Sequence, residues 1–176
     1  HDAMTGLPNR ALILDRLRHG IAKVDRQRGI LAVMVINMDR FKMVNVGLGY
    51  KCGDNVLKMA SDRLKKAVRE CDTVGRIGGD EFAVILEGIG SINEAAQVAK
   101  RVANSLSAPF EYENQELSLS VSIGISIYPD DEKNEEYLLS HADVAMHCIK
   151  DQGGANYQFY TPDMNVSSSI RIVEEQ

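Results

Sequence analysis

The chain has 176 residues, 44% of them hydrophobic, enough for one core that buries roughly 70% of the unfolded surface. Its net charge of -5 and pI near 5.4 exclude the basic footprint of a non-specific nucleic-acid binder or of a domain held on an anionic membrane. Cys52, Cys71 and Cys148 lie in no metal-ligand spacing and fit reduced thiols, no apolar run approaches a membrane span, and His1-Asp2-Ala3-Met4 has nothing of a signal peptide. The expectation is a cytoplasmic domain without direct membrane contact, with room for a membrane anchor elsewhere in a longer protein.

Ile13, Leu17, Ile21 and Val24 recur at helical spacing after the turn-forming Gly6-Leu7-Pro8-Asn9, predicting a helix that ends near Gly29. Ile30 to Met38 is a nearly unbroken apolar run, the pattern of a strand covered on both faces, and it delivers Asn37 and Asp39 at its end. After the Phe41 to Gly53 segment, Val56, Leu57, Ala60, Leu64 and Val68 mark a second helix with Asp54 in its first turn. Thr73 to Ile77 and Phe82 to Leu86 read as a hairpin with Gly78, Gly79, Asp80 and Glu81 at its tip. The glycines are expected to take positive φ and to admit an anion close to the backbone, and the acids to present oxygens to a divalent cation. A plain turn with two solvated acids explains the same residues.

Ser91-Ile92-Asn93-Glu94 is a capping-box pattern opening a third helix through Ala95, Val98, Ala99, Val102 and Leu106. Leu117 to Tyr128 alternates apolar residues with serines and Gly124, as one long strand with unlike faces would. Asn134 opens a last helix through Leu138, Ala142, Ala145 and Ile149 that stops at Gly153-Gly154, and Tyr157 to Tyr160 adds an edge strand. The order predicts an α+β fold, a central, mostly antiparallel five-stranded sheet flanked by helices.

If the hairpin pairs with the central strand, Asn37, Asp39, Asp80 and Glu81 share one edge, as a paired Mg²⁺ site for phosphoryl or nucleotidyl transfer requires. Asn45 and Asp54 could read the donor edge of guanine, although Asp54 also fits a helix-cap acid. Lys150 could reach a phosphate or complement the helix dipole. Arg69 and Asp72 could be no more than a solvated pair at a helix end.

Taken together, Thr5-Gly6-Leu7-Pro8-Asn9-Arg10, Asp39-Arg40-Phe41-Lys42, Gly53-Asp54, Gly78 to Phe82, Ser122-Ile123-Gly124-Ile125 and Ala142-Asp143 with Ala145-Met146 and Lys150 resemble the GGDEF family of diguanylate cyclases, in the family's order, from Asp2 to about Asn165. The resemblance implies a palm-like nucleotidyl-cyclase fold and Mg²⁺- or Mn²⁺-dependent condensation of two GTP into cyclic di-GMP and two pyrophosphates by a transient homodimer. It assigns Asp80, Glu81 and Lys150 to catalysis. Phe41, Lys42, Asn45, Asp54, Gly78 and Gly79 are assigned to GTP. The metal positions are Asp80, Asn37, the Met38 backbone and Asp39, and an inhibitory cyclic di-GMP site falls on Arg69 and Asp72.

Several residues depart from the family's pattern. Asn37 replaces a metal-binding Asp, so weak turnover is expected, or a degenerate module that binds GTP or cyclic di-GMP and regulates a neighbour. Val46, Tyr50, Gly154 and Ala155 also depart, and His147, in place of a Tyr, reads as a packing residue. Phe159 to Asn165, followed by Arg171 to Glu174, resembles a junction leading into an EAL phosphodiesterase domain. The chain therefore reads as a domain over 1–165 and a linker over 166–176, cut from a longer protein with linked sensor and EAL domains.

Overall fold

The unbroken apolar run of Ile30–Met38 becomes β1, the centre of a sheet ordered β2-β3-β1-β6-β7, with β2 at Thr73–Arg76, β3 at Glu81–Ile89, β6 at Val121–Tyr128 and β7 at Asn156–Phe159. In this computed structural model residues 1–131 and 133–164 are described, and the expected linker over 166–176 lies outside them. β1 runs antiparallel to both β3 and β6, while β6 and β7 are parallel, so the sheet is mixed at one edge.

Both faces of β1 are covered, which is why its sequence shows no alternation. Ala32, Met34, Ile36 and Met38 pack toward α3 (Tyr50–Ala67) and α4 (Ile92–Ser107) through Val56, Leu57, Leu64, Ala99 and Val102. Leu31, Val33 and Val35 face α1 (Arg10–Arg26) and α5 (Glu135–Asp151) through Ile13, Leu17, Leu138 and Met146. The Asn9 side chain caps α1 by accepting from the Leu12 amide at 3.0 Å, and Asn134 caps α5 by accepting from Glu136 at 2.9 Å and Tyr137 at 3.2 Å. None of the cysteines is in a disulfide, and among the described residues no helix is long and apolar enough to cross a membrane.

Three expectations need correction. Phe41–Leu48 is a helix, α2, entered through Arg40 in the left-handed region at φ 59°, so α3 begins at Tyr50 and Asp54 stands beyond its first turn. The capping box does not close: Ser91 makes no side-chain cap bond, and Glu94 accepts instead from the Gly90 amide at 3.1 Å. The long strand is broken, because Leu117 belongs to a separate hairpin of β4 (Phe110–Tyr112) and β5 (Gln115–Leu117). The unlike faces of β6 are both covered. Ser122 and Ser126 are fully buried beneath α5, where small side chains let the helix lie close.

Candidate active site

Strand pairing sets Asn37 opposite both Glu81 and Ser122, and the Met38 amide donates to the Asp80 carbonyl at 3.4 Å. The acid-bearing tip therefore lies against the end of the central strand. Neither Gly78 nor Gly79 has a positive φ, contrary to expectation; the turn closes through the Ile77 amide on the Glu81 carbonyl at 3.0 Å. A Cβ on Gly79 would meet open space, so what this glycine leaves is bare, approachable backbone.

Arg76 braces the tip. Its guanidinium donates to the Gly79 carbonyl at 2.7 Å and pairs with Asp2 at 3.2 Å, while Asp2 also accepts from the Thr5 hydroxyl at 2.6 Å and the Thr5 amide at 2.8 Å. Burial pushes the Asp2 carboxyl up, but the Thr5 bonds and Arg76 outweigh it and hold the group below its ordinary value. A lowered folded-state pKa contributes stability that is present above the unfolded pKa and lost as acid passes through the folded one. Asp2→Asn is therefore expected to lower the melting temperature at neutral pH, with the gap to wild type closing below about pH 4. Thermal scans of both proteins from pH 7 to 3 measure it, and a gap independent of pH would contradict the assignment.

On one side of the tip a groove of about 320 Å³ is lined by Phe41, Lys42, Asn45, Asp54, Gly79 and Asp80, with Tyr50, Leu57 and Arg76 beside them. Gly53 explains how residues from two helices meet there. A Cβ at that position would lie 1.9 Å from Asn45 Oδ1 and 3.3 Å from the Phe41 ring, so only glycine lets the Asn45 amide rest against α3 beside Asp54. A glycine inside a helix costs about 1 kcal/mol relative to Ala, a cost tied here to the groove's shape. A larger hollow of about 460 Å³ lies beside Arg40, Ser118, Ser120 and Gly153, but Asp39 is its one carboxylate.

Asp80 and Glu81 serve different places. Asp80 lines the groove, whereas Glu81 turns toward Asp143 and His147 of α5. Burial first, then Asp143 and Asp80, push the Glu81 carboxyl above its ordinary value, against His147 and Lys150. Burial likewise raises Asp143, against His147 and Arg10. His147 is exposed, which corrects its reading as a packing residue. Asp143, which the sequence shows in the Ala142-Asp143 motif without a role, stands four residues before His147, a spacing that places the two on one helical face.

Asn37 is only 3% exposed, and its side-chain oxygen accepts a hydrogen bond from the Lys150 ammonium. Lys150 is thus turned onto the neutral residue at the end of β1. Asp39, expected as a further metal oxygen, is occupied structurally: it accepts from the Ser120 and Ser122 hydroxyls, each at 2.6 Å, and from the Ala155 amide at 3.0 Å. It ties β6 to the turn after α5, where a Cβ on Gly154, at φ +74°, would lie 2.7 Å from its carboxylate. Arg69 and Asp72 form a two-point pair at 3.0 and 3.2 Å, with Arg69 also donating to the Glu87 carbonyl at 2.8 Å. The Asp72 side chain is 2% exposed and that of Arg69 49%. They are a built corner, not the loose solvated pair a helix end suggests.

The model of the diguanylate cyclase GGDEF-domain family matches residues 1–156. The chain belongs to the GGDEF family. It is 38% identical over 172 residues to the bifunctional diguanylate cyclase/cyclic di-GMP phosphodiesterase MucR of Pseudomonas aeruginosa, covering 98% of this chain and 25% of that protein. The diguanylate cyclase TpbB of the same species is 40% identical over 153 residues, covering 86% of this chain and 35% of TpbB. The chain thus spans between a quarter and about a third of these relatives. The isolated GGDEF domain of TpbB superposes with a TM-score of 0.92 at 36% identity, covering 99% of both chains. An EAL/GGDEF domain protein from M. capsulatus superposes at 0.75 with 40% identity, covering 88% of this chain and all of that chain.

Proposed function

We propose that this GGDEF domain binds GTP with a divalent cation in the groove between α2, α3 and the hairpin tip, and condenses two GTP into cyclic di-GMP slowly. The observation that carries the reading is the meeting of Asn45, Asp54, Gly79 and Asp80 in one groove. Asp54 accepts the adjacent N–H donors of guanine and the Asn45 amide reads the remaining edge. Gly79 lets the triphosphate approach the backbone, and Lys42 supplies a local cation to a protein that is negative overall.

The donor set fits one Mg²⁺ or Mn²⁺ carried by Asp80 beside the Met38 backbone; it fits a bridged pair poorly, since Asn37 is neutral and bonded to Lys150 and Asp39 is taken by serines. When bound, the ion neutralises the triphosphate and polarises the reacting phosphoryl group. Lys150 adds positive charge at the end of β1, and Asp80 is the acid of the tip that lines the groove. Two nucleotides must meet for the reaction, so a transient homodimer belongs to the proposal. So do a domain over 1–165 and linked sensor and EAL domains, the last supported by the paired cyclase and phosphodiesterase activities of MucR and by the EAL/GGDEF domain protein from M. capsulatus.

The Asn37–Lys150 contact also favours a second reading, a GTP- or cyclic di-GMP-binding module that controls an attached phosphodiesterase. In that reading Arg69, held by Asp72 yet half exposed, offers an ordered guanidinium to cyclic di-GMP.

Calorimetry with GTP and Mg²⁺ tests the groove. Asp54→Ala is expected to weaken GTP about 10–100-fold, because it leaves guanine donors unpaired at a charged partner's site. Unchanged GTP affinity in the variant, or equal affinity for ATP and GTP in the wild type, would defeat the reading.

A further inference from the structure

Glu81, Asp143 and His147 place one ligand atom each within 4.8 Å of one another, on the α5 side of the sheet. His147 Nε2 stands 3.6 Å from Asp143 Oδ1, too long for a hydrogen bond but close to the separation of about 3.3 Å between two ligands on a tetrahedral ion with bonds near 2.0–2.1 Å. That same Asp143 oxygen is buried and has no hydrogen-bond partner, although buried polar atoms almost always find one. A carboxylate oxygen without a donor, aimed at an imidazole and a second carboxylate, is what a cation would complete. We infer that Glu81, Asp143 and His147 form a binding site for a divalent transition-metal ion, of which Zn²⁺ is the representative.

The imidazole decides the class of ion. Mg²⁺ demands an octahedron of oxygens, whereas a nitrogen with two carboxylates suits zinc and its neighbours in the first transition row, with water in the remaining position. The site is distinct from the groove that holds Asp80, and binding there does not require the nucleotide reading to hold. Its occupation bridges β3 to α5 and so fixes the strand that carries the hairpin tip.

The chain contains its own control. Asp15 and His19 on α1 repeat the spacing of four with His19 Nδ1 3.6 Å from Asp15 Oδ2, but among the described residues no third ligand joins them, His19 Nδ1 lies 2.8 Å from the Asp15 carbonyl, and Asp15 is paired with Arg18. Tag-free, EDTA-treated protein titrated calorimetrically with ZnCl₂ should take up one equivalent at this site, and His147→Ala and Asp143→Asn should each weaken it by about 100-fold or more. His19→Ala should leave it unchanged. Zinc should also raise the melting temperature of the wild type, where equal Mg²⁺ does not, and shield His147 from diethyl pyrocarbonate in mass-spectrometric mapping. Unchanged zinc affinity in His147→Ala, equal loss in His19→Ala, or unshielded His147 in zinc-saturated wild type would overturn the inference. GTP binding measured in parallel reports on the groove independently.

Discussion

Asn37→Asp should raise the rate of cyclic di-GMP formation about 10–100-fold, the scale on which losing even an outer partner of a metal site is felt. The residue sits at the end of β1, 3% exposed, between Glu81 on one neighbouring strand and Ser122 on the other. As an amide it has one acceptor oxygen, and Lys150 already uses it. A carboxylate of nearly the same shape has two, so it can keep Lys150 on one oxygen and offer the other, with a negative charge, to a cation on the triphosphate. Quantifying product by chromatography at saturating GTP and Mg²⁺ measures the effect. Equal rates for the two proteins would remove Asn37 as the reason for slow turnover and favour the regulatory reading.

The parts of this fold that were legible in the sequence are those where burial imposes a simple period. The run from Ile30 to Met38, the stripe of Ile13, Leu17 and Val24, and the Asn134 cap all appear where expected. Glu113 and Asn114 carry the hairpin that was missed: both have positive φ, 48° and 66°, as a two-residue hairpin turn requires, but Glu is an unusual residue there and hides the turn. α2 was hidden because its first residue follows a left-handed Arg40 with no side-chain cap.

Within the site, Phe41, Lys42, Asn45, Asp54, Gly79 and Asp80 line one groove, whereas Gly78 lines a separate hollow with Asp2 and Arg10. The expectation that Asp80 and Glu81 act at one point overlooked the strand itself, since adjacent residues at a strand's start project to opposite faces. Asp39 was misread for another reason. Its partners, Ser120, Ser122 and Ala155, lie more than eighty residues away, and no local pattern announces that a carboxylate will be consumed by distant donors.

Replacing Gly124 by Ala should lower the melting temperature by about 6–12 °C, the shift that roughly 3 kcal/mol produces in a chain of this size. Gly124 pairs with Val35 of β1 and Gln158 of β7, directly beneath α5. A Cβ there would lie 2.0 Å from the Ala142 carbonyl oxygen and 2.2 Å from the Met146 amide nitrogen. These are main-chain atoms, so no rotamer relieves the contact and the helix itself must lift. Lifting is costly because α5 is seated on both sides of this point: Ser126 donates to the Leu138 carbonyl at 2.6 Å, and Leu138, Ala142 and Met146 are fully buried. The same movement would draw Lys150, one turn beyond Met146, off Asn37 and separate Asp143 and His147 from Glu81. Scanning calorimetry tests this against Gly79→Ala, whose Cβ meets nothing and whose melting should stay close to wild type. A Gly124→Ala protein that melts within about 1 °C of wild type would mean that α5 does not depend on this close approach to the sheet.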